Sequence, residues 1–234
     1  MIAALKQDLE NCINPEKAAF FPRFFKTGKG QYGEGDIFWG ITVPNVRSVV
    51  KYHEKSISLE DVQFLINDPI HEVRLAAIFI LVNKFTKTKD ENEKKDIYEF
   101  YLDNIRGVNN WDLVDGSAAQ IVGGYLFDKE RSKIYELVKS NSLWEQRIAM
   151  IATFYFIRRN QFEDTFQIAE ILLHHPHDLI HKAVGWMLRE VGNRDIEQLE
   201  TFLNQHYATM PRTMLRYAIE KFPEPVRQAY LKKG

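Results

Sequence analysis

The sequence contains a single cysteine, Cys12, among its 234 residues. One cysteine excludes an internal disulfide and a cluster of thiolate metal ligands. We interpret Cys12 as a small, partly buried residue of the first helix, because unpaired cysteine usually behaves as a small apolar side chain.

The chain also lacks a run of about 18 apolar residues, the length that a transmembrane helix requires. Its first residues, MIAALKQDLENC, are amphipathic and charged, unlike a secretory signal. Hydrophobic residues nevertheless make up 45% of the sequence, which is ample for a continuous core. We therefore expect a soluble globular protein of the cytoplasm.

An excess of positive charge is missing as well. The 31 lysines and arginines are balanced by 32 aspartates and glutamates, so the formal net charge is −1. The two signs are not segregated along the chain, and this balance makes no overall electrostatic case for a nucleic-acid partner. If the protein binds DNA, folding must gather its cations onto one surface.

Several enzyme motifs are absent. Gly28-Lys29-Gly30 lacks the following Ser or Thr and the strand-to-helix context of a phosphate-binding loop. There is no Gly-x-Ser-x-Gly elbow and no Cys–His pairing typical of acyl-transfer enzymes.

Four histidines lie close together: His174, His175, His177 and His181. Their run crosses a helix end and Pro176, and it lacks the i, i+4 geometry together with the supporting carboxylate of a zinc site. We therefore expect no metal and no cofactor.

Helix signals, in contrast, recur throughout the chain, and proline falls at helix starts rather than inside periodic segments. The sequence predicts an almost wholly α-helical protein. Helices are predicted over 2–11, from Asn14-Pro15 to 26, over 44–52, after the capping box at Ser58, from Asp68-Pro69 to 85, over 96–105 after a charged connection and helix start at 88–95, from Asn110, over 131–139, from Ser142 to 159, over 162–174, over 178–191, from Asp195 to 206, from Pro211 to 221, and after Pro225. The long irregular segment is 27–40, with five glycines, which we expect to be packed by Tyr32, Phe38 and Trp39.

A degenerate repeat organises these helices. HEVRLAAIFIL, WEQRIAMIATF, IHKAVGWML and RTMLRYAIEKF each carry a basic residue followed by small and aliphatic ones. The basic positions are Arg74, Arg147, Lys182 and Arg216, separated by 73, 35 and 34 residues. The first gap leaves room for one more unit, so the period resembles that of short HEAT-type repeats. We predict a single domain over 1–234, an all-α, right-handed α-solenoid of HEAT-like helical pairs with a concave face.

The stretch VNNWDLVDGSAAQIVGG carries the most distinctive chemistry. Trp111 and Asp115 are four residues apart and share one face of a helix that begins at Asn110. Asp112 has an ordinary explanation, since a carboxylate in a first turn complements the helix dipole. The small residues 116–119 let a helix or a ligand approach closely. The pattern suggests an open, acidic site with an aromatic wall.

Two later helices add cations and a second tryptophan. Arg147 and Arg158 are eleven residues apart, which returns to the same helix face after about three turns. Lys182, Trp186 and Arg189 form one stripe at spacings of four and three. Stacked in register, these helices would bring both tryptophans, the carboxylate and the cations to one surface. Ordinary alternatives stay open: tryptophans at helical spacing are usually core residues, Arg147 could bond to the preceding turn as we suspect for Arg74, and Asp115 could pair with a neighbouring cation.

The segments NNWDLVDGSAAQIVGGYL, LWEQRIAMIATFYFIRR and LIHKAVGWMLREVG, in this order and spacing, resemble the AlkD family of bacterial DNA alkylation-repair glycosylases. KTGKGQYGEGDIFWGITVPNVR is similar to the loop and helix near the start of that family. The resemblance spans nearly the whole chain. It implies a stack of HEAT-like repeats that cradles duplex DNA and excises positively charged alkylated bases such as 7-methylguanine and 3-methyladenine, without drawing the base into a deep pocket.

The resemblance also implies roles for individual residues. Trp111, Asp115 and Trp186 match the catalytic aromatic and acidic positions, and Arg147 matches an arginine that binds the DNA backbone. The cations that we expect to contact phosphates beside Arg147 are Lys182, Arg158, Arg189 and Arg212. Local departures are Asn110 before Trp111 and a loop rather than a compact turn at 27–40. We expect a monomeric, metal-independent enzyme that works in the bacterial cytoplasm, associated with the nucleoid.

Two other functions are compatible with the repeat. A noncatalytic HEAT-like scaffold would use the concave face for a protein or peptide, which the near-neutral charge favours. A DNA-binding relative would sense damaged DNA without cutting it. The presence of Asp115 between the two tryptophans in the sequence argues against both, because a scaffold has no need of that carboxylate.

Overall fold

The computed structural model describes residues 1–232. Within this range the regular structure is helical and no strand forms; a single parallel bridge joins Ile37 to Ile70. The all-α fold predicted from the sequence is confirmed. Among the described helices, none is long and apolar enough to cross a membrane.

The chain packs as two compact units, residues 1–121 and the chain from Val122 onward. Trp111 and Asp115 belong to the first unit, whereas Arg147 and Trp186 belong to the second. The single domain over 1–234 and the shared concave surface remain predictions.

The first unit is built around one buried helix. Its helices are α1 (Ile2–Glu10), α2 (Pro15–Phe24), α3 (Val43–His53), α4 (Leu59–Leu65), α5 (His71–Lys87), α6 (Glu91–Asp103) and α7 (Trp111–Asp115), with a 3-10 turn at Ile105–Gly107. Helix α5 packs against α3, α4, α6 and α7. Its residues from His71 to Leu81 are all buried, so apolar side chains on every face form the core. Each large aliphatic side chain buried there contributes about 1.5–3 kcal/mol.

Several predicted helix ends are confirmed, because polar side chains cap them. Ser58 and Asp61 form the predicted capping box of α4. Asn14 accepts a hydrogen bond from the backbone N–H of Lys17 at the start of α2. In the second unit, Asp195 does the same for Gln198.

Other predictions were wrong. Pro22 lies inside α2, although proline was predicted to fall at helix starts. Helix α5 begins at His71 rather than at Asp68-Pro69, because the Asp68 carboxylate accepts from the N–H of Ile70 and forms a turn before the helix. Helix α6, by contrast, begins at Glu91, inside the charged stretch 88–95 where its start was predicted, since Asp90 caps it. Cys12 lies just beyond the end of α1 and is partly exposed.

The second unit repeats helical pairs. Its helices are α8 (Gly124–Leu126), α9 (Ser132–Val138), α10 (Leu143–Ile157), α11 (Glu163–Ile171), α12 (Asp178–Gly192), α13 (Ile196–His206), α14 (Arg212–Ala218) and α15 (Glu224–Lys232). Helix α12 packs between α10 and α14, and α9, α11 and α13 pack against this row. Gly185 permits the close α12–α14 contact, because a Cβ there would lie 2.5 Å from both the Met214 carbonyl oxygen and the Tyr217 Cβ. Helices α11 and α14 end three residues earlier than predicted.

The segment after Asp115 is irregular in a way that the sequence did not predict. Helix α7 ends after five residues, and a π-helical turn follows at Ala119–Gly123. The hydroxyl of Ser117 donates to the carbonyl of Leu113 at 2.7 Å, a local bond that often bends helices. Helix α7 is therefore a short, separate turn that depends on its surroundings for its position.

Candidate active site

Trp111 and Asp115 stand one turn apart on α7, and both side chains are partly exposed. The Trp111 ring stacks on Phe25, with centroids 5.4 Å apart and planes 12° apart. Phe24 meets it nearly edge-on at 5.9 Å. Aromatic rings from the end of α2 therefore pack around one side of Trp111.

The end of α2 also exposes aromatic surface beside Trp111. Phe24 is 50% exposed and Phe20 is 56% exposed, and their rings stack 6.1 Å apart. Sequence reasoning missed these residues, although the aromatic-rich run AAFFPRFF was a usable signal. Exposed phenylalanines next to a partly exposed tryptophan form an apolar surface at the mouth of the candidate site.

Asp115 lies near a buried hydroxyl group. Tyr101 is fully buried, and its hydroxyl is hydrogen-bonded to the Ser117 hydroxyl at 2.9 Å. Burial raises the pKa of Tyr101, and the negative charge of Asp115 raises it further, against the opposing effect of the Ser117 hydrogen bond. Tyr101 therefore stays protonated and can only act near Asp115 as a neutral hydrogen-bonding group.

The N-terminus of α7 is anchored by a fully buried residue, Asn110. Its side-chain oxygen accepts from the N–H of Trp111 at 2.9 Å. Its amide nitrogen donates to Asp36 at 2.9 Å. Asn110, a local departure from the family that the sequence resembles, thus links the 27–40 loop directly to the residue that carries the indole.

A second anchor joins α7 to α5. The Nε2 atom of His71 lies 2.8 Å from Asp112, and its Nδ1 atom lies 3.1 Å from Asp36. Burial lowers the pKa of His71, but the charge and hydrogen bond of Asp112 and the hydrogen bond of Asp36 outweigh burial and raise the pKa to about 9. Asp112 therefore does more than complement the helix dipole, which was its predicted role.

Asp36 itself is held as a carboxylate. Arg74 donates to it at 2.6 Å. Burial alone would raise the pKa of Asp36, but the hydrogen bond of His71, the charge of Arg74 and the hydrogen bond of Asn110 lower it below its ordinary value. Arg74 also donates to the carbonyl of Asp68 at 2.8 Å, so its suspected structural role at the preceding turn is confirmed.

The 27–40 loop is fixed to α5 by a buried carboxylate. Glu72, only 1% exposed, accepts from the backbone N–H groups of residues 39–41 at 2.8–3.0 Å. Phe38 is buried and stacks on His71, with centroids 4.5 Å apart. The N–H groups of Gly28 and Gly30 are bonded to side chains within the loop itself. The later part of the loop is thus packed against α5, whereas Gly28 and Gly30 lie exposed.

In the second unit, Trp186 lies partly exposed on α12. Its ring centroid is 5.7 Å from that of Phe154, and the Arg158 guanidinium lies 4.2 Å from the Phe154 centroid. The indole N–H donates to Glu190 at 3.1 Å. Sequence reasoning missed Phe154 and Glu190; the spacing of four between Trp186 and Glu190 was the available signal for the latter.

The predicted phosphate-binding cations differ in exposure. Arg158 and Arg212 are exposed. Lys182 and Arg189 are partly exposed and form ion pairs, Lys182 with Asp178 at 2.6 Å and Arg189 with Glu190 and Glu220.

Arg147 differs from these cations, because it is only 4% exposed and donates to the carbonyl of Leu179. The two arginines of α10 thus differ in exposure: Arg158, at the residue that follows α10, is exposed, whereas Arg147 packs inside the unit.

The histidine run closes the turn before α12. Nδ1 of His175 accepts from the N–H of His177, and Nδ1 of His177 accepts from the N–H of Leu179. Burial lowers the pKa of both side chains. These imidazoles act as backbone acceptors that start the helix carrying Trp186.

Comparison with known proteins places these features in a family. The family model described as DNA alkylation repair enzyme matches residues 5–222. A solved structure described as a predicted DNA alkylation repair enzyme from Enterococcus faecalis superposes with a TM-score of 0.69 over 91% of this chain and 97% of that chain, at 16% identity, and so shares the fold. No match was found among curated proteins. On the family match over nearly its whole length, the chain belongs to the DNA alkylation repair enzyme family.

Proposed function

We propose that the protein is a DNA glycosylase that hydrolyses the N-glycosidic bond of positively charged alkylated purines, such as 7-methylguanine and 3-methyladenine, in duplex DNA. The observation that carries this proposal is the pairing on α7 of a partly exposed indole with a partly exposed carboxylate one turn away. Family membership supports a role in the repair of alkylated DNA.

The chemistry of the substrate explains why one carboxylate suffices. An alkylated purine already carries a positive charge, so it leaves without protonation by a general acid. As the glycosidic bond breaks, the sugar becomes oxocarbenium-like. Asp115 stabilises that cation and orients the attacking water, as carboxylates do at other sites of glycoside cleavage. No step requires a metal ion.

The tryptophans hold the cationic part of the substrate. The exposed part of Trp111 contacts the sugar and the alkylated base by cation–π attraction, worth about 0.5–2 kcal/mol, and we propose the same kind of contact for Trp186. Stacking on Phe25 fixes the plane of Trp111 before DNA arrives. A preset ring plane reduces the entropy that binding would otherwise cost.

The cations hold the DNA backbone. Arg158 and Arg212, which are exposed, contact phosphates, as do Lys182 and Arg189 after exchanging their carboxylate partners for phosphate. Such contacts fix the register of the duplex and carry no sequence information. For Arg147, burial favours a role in supporting the start of α12, through Leu179, over a direct phosphate contact.

The proposal is tested with a labelled duplex that contains one 7-methylguanine. After incubation with the protein in EDTA, a brief mild alkaline treatment cleaves the strand wherever a base has been lost, and the modified duplex treated without protein controls for the alkali lability of 7-methylguanine itself. We expect cleavage at the modified position and none in the unmodified duplex. Binding of the modified duplex without base loss would support the damage-sensing alternative, and the absence of both would support the protein scaffold.

A further inference from the structure

Helix α7 is too short to fix its own position in the first unit. A five-residue helix makes too few internal hydrogen bonds to be stable alone. The residues that place Trp111 and Asp115 must therefore lie outside α7. In the first unit, side chains of Asn110 and His71 bond to the first turn of α7, and the rings of Phe24 and Phe25 pack against Trp111.

The surroundings of His71 require a charged ring. Both imidazole nitrogens face carboxylate oxygens, those of Asp36 and Asp112, and an ionised carboxylate only accepts hydrogen bonds. Both nitrogens must therefore carry a proton. A neutral imidazole would leave one nitrogen lone pair against a carboxylate oxygen in a site where the ring is only 1% exposed.

The charges around the His71 ring balance only when both of its nitrogens are protonated. The loop contributes Asp36, α7 contributes Asp112, and α5 contributes Arg74 beside His71 itself. The uncharged rings of Phe25 and Phe38 also lie against the imidazole. With His71 charged, two anions meet two cations; with His71 neutral, a net negative charge stays in a nearly dry site, which is costly.

His71 touches two of the residues that determine the position of Trp111. Asp112, which His71 holds, follows Trp111 directly in the chain. Phe25, on which Trp111 stacks, has its ring centroid 5.1 Å from that of His71. A change at His71 is therefore transmitted to the indole through the backbone and through the aromatic stack.

We propose that His71 is a positioning residue of the active site, an imidazolium bridge between Asp36 of the 27–40 loop and Asp112 of α7 that sets the placement of Trp111 and Asp115. As far as catalysis is concerned, this inference rests on the proposed function.

The decisive variants are His71→Gln and the double variant His71→Gln with Asp112→Asn. Glutamine keeps one donor but no charge, so the single variant leaves two carboxylates facing a neutral group. In the double variant the amide introduced on α7 donates to the oxygen of the amide introduced on α5, which restores a fully bonded, uncharged bridge. A misplacement of about 1 Å can cost about a hundredfold in rate. We expect His71→Gln to lose excision on that scale at little changed DNA affinity, and the double variant to recover most of it.

The chain offers a matched control. His53 is also a nearly buried histidine paired with an aspartate, Asp8, at 2.6 Å, and the pair joins α3 to α1. His53→Gln removes a histidine–aspartate pair of the same unit that does not contact α7. Equal losses of excision in His53→Gln and His71→Gln would show that His71 contributes only to the general stability of the unit, and would overturn the proposal.

A readout independent of activity separates this inference from the proposed function. In 15N NMR spectra at pH 7, His71 should show two protonated ring nitrogens, and the Trp111 indole signal should shift in His71→Gln. In the wild type that signal should move as the pH passes about 9, where His71 loses its proton. If the signals show this titration but the protein excises no base, the proposed glycosylase activity is refuted and the His71 bridge is supported. A neutral His71 at pH 7, or a folded His71→Gln with wild-type excision and an unmoved indole signal, would overturn the bridge. If His71→Gln does not fold, the wild-type titration and the double variant decide.

Discussion

At the residue scale, the sequence predicted the pair that could react but could not predict what surrounds it. A spacing of four places Trp111 and Asp115 on one helix face whatever the fold, because helix geometry alone determines it. The neighbours of Trp111, in contrast, come from a helix that is more than 80 residues earlier in the chain, and His71 is brought in by α5. Contacts over such distances depend on packing that no local pattern encodes.

Asp115→Asn tests the proposed catalytic carboxylate. The change is nearly isosteric and removes only the charge, so fold and DNA affinity should persist. Loss of an electrostatic stabiliser of this kind costs about a hundred- to a thousandfold in rate, to be measured as single-turnover excision of 7-methylguanine.

Trp111→Ala and Trp186→Ala, measured beside Asp115→Asn, should each lower excision less and weaken binding. If Asp115→Asn excises the base at the wild-type rate, the proposed mechanism is wrong even if the protein is a glycosylase. If this variant unfolds, the Asp115 carboxylate has a structural role instead.

His71 also makes stability depend on pH. Its pKa is raised from 6.5 to about 9 in the folded protein, so the folded state holds a proton that the unfolded chain releases. Its contribution is fully present below pH 6.5 and is lost as the pH rises through 9. The free energy of unfolding in urea should therefore fall over this window more steeply in the wild type than in the variant with His71→Gln and Asp112→Asn. Parallel pH curves for the two proteins would contradict this assignment.

At the scale of elements, helix starts were predictable where a capping side chain supplies the backbone bond, as at Ser58 and Asp195. The prediction failed at Asp68, whose carboxylate bonds to the N–H of Ile70 and forms a turn instead of a cap. The same residue types serve both local structures, so their presence alone does not distinguish them. The π-helical turn after α7 likewise has no signal in the pattern of apolar residues.

Gly185→Ala tests the packing of α12 on α14. The added Cβ would lie 2.5 Å from the backbone oxygen of Met214, so the two helices must move apart. Overpacking of this kind costs about 1–3 kcal/mol, measured as a loss in the free energy of unfolding. Gly28→Ala is the control, because its Cβ meets only the flexible end of Gln31. Equal stability of the two variants would show that the α12–α14 contact is looser than described.

At the scale of the whole molecule, the all-helical class followed from the recurrence of helix signals and the repeat from the separations of its basic residues. Charge was harder to interpret. The net charge of −1 does not distinguish exposed cations from buried ones. Arg158 and Arg212 are exposed, whereas Arg74 and Arg147 are buried. Only the fold separates the two kinds, because a structural arginine and a phosphate-binding arginine occur in similar helical patterns.

Binding of duplex DNA should therefore depend steeply on salt despite the net charge. Each phosphate contact contributes about 0.9 to the slope of log K against log salt concentration, so Arg158→Ala and Arg212→Ala should each reduce that slope by about this amount. Lys95→Ala, which removes an exposed lysine of α6 that pairs with Glu99, should leave the slope unchanged. Binding that is insensitive to salt, or absent at low salt, would favour the scaffold.

The central claim is that the protein breaks one bond, the one between an alkylated purine and its sugar. The most direct measurement is the identity of the released product, by mass spectrometry of the small molecules freed from a duplex carrying 7-methylguanine. The account predicts free 7-methylguanine, an intact phosphodiester backbone before alkali, and almost none of this product with Asp115→Asn. Release of a methylated nucleotide, or of no base at all from DNA that the protein binds, would contradict it.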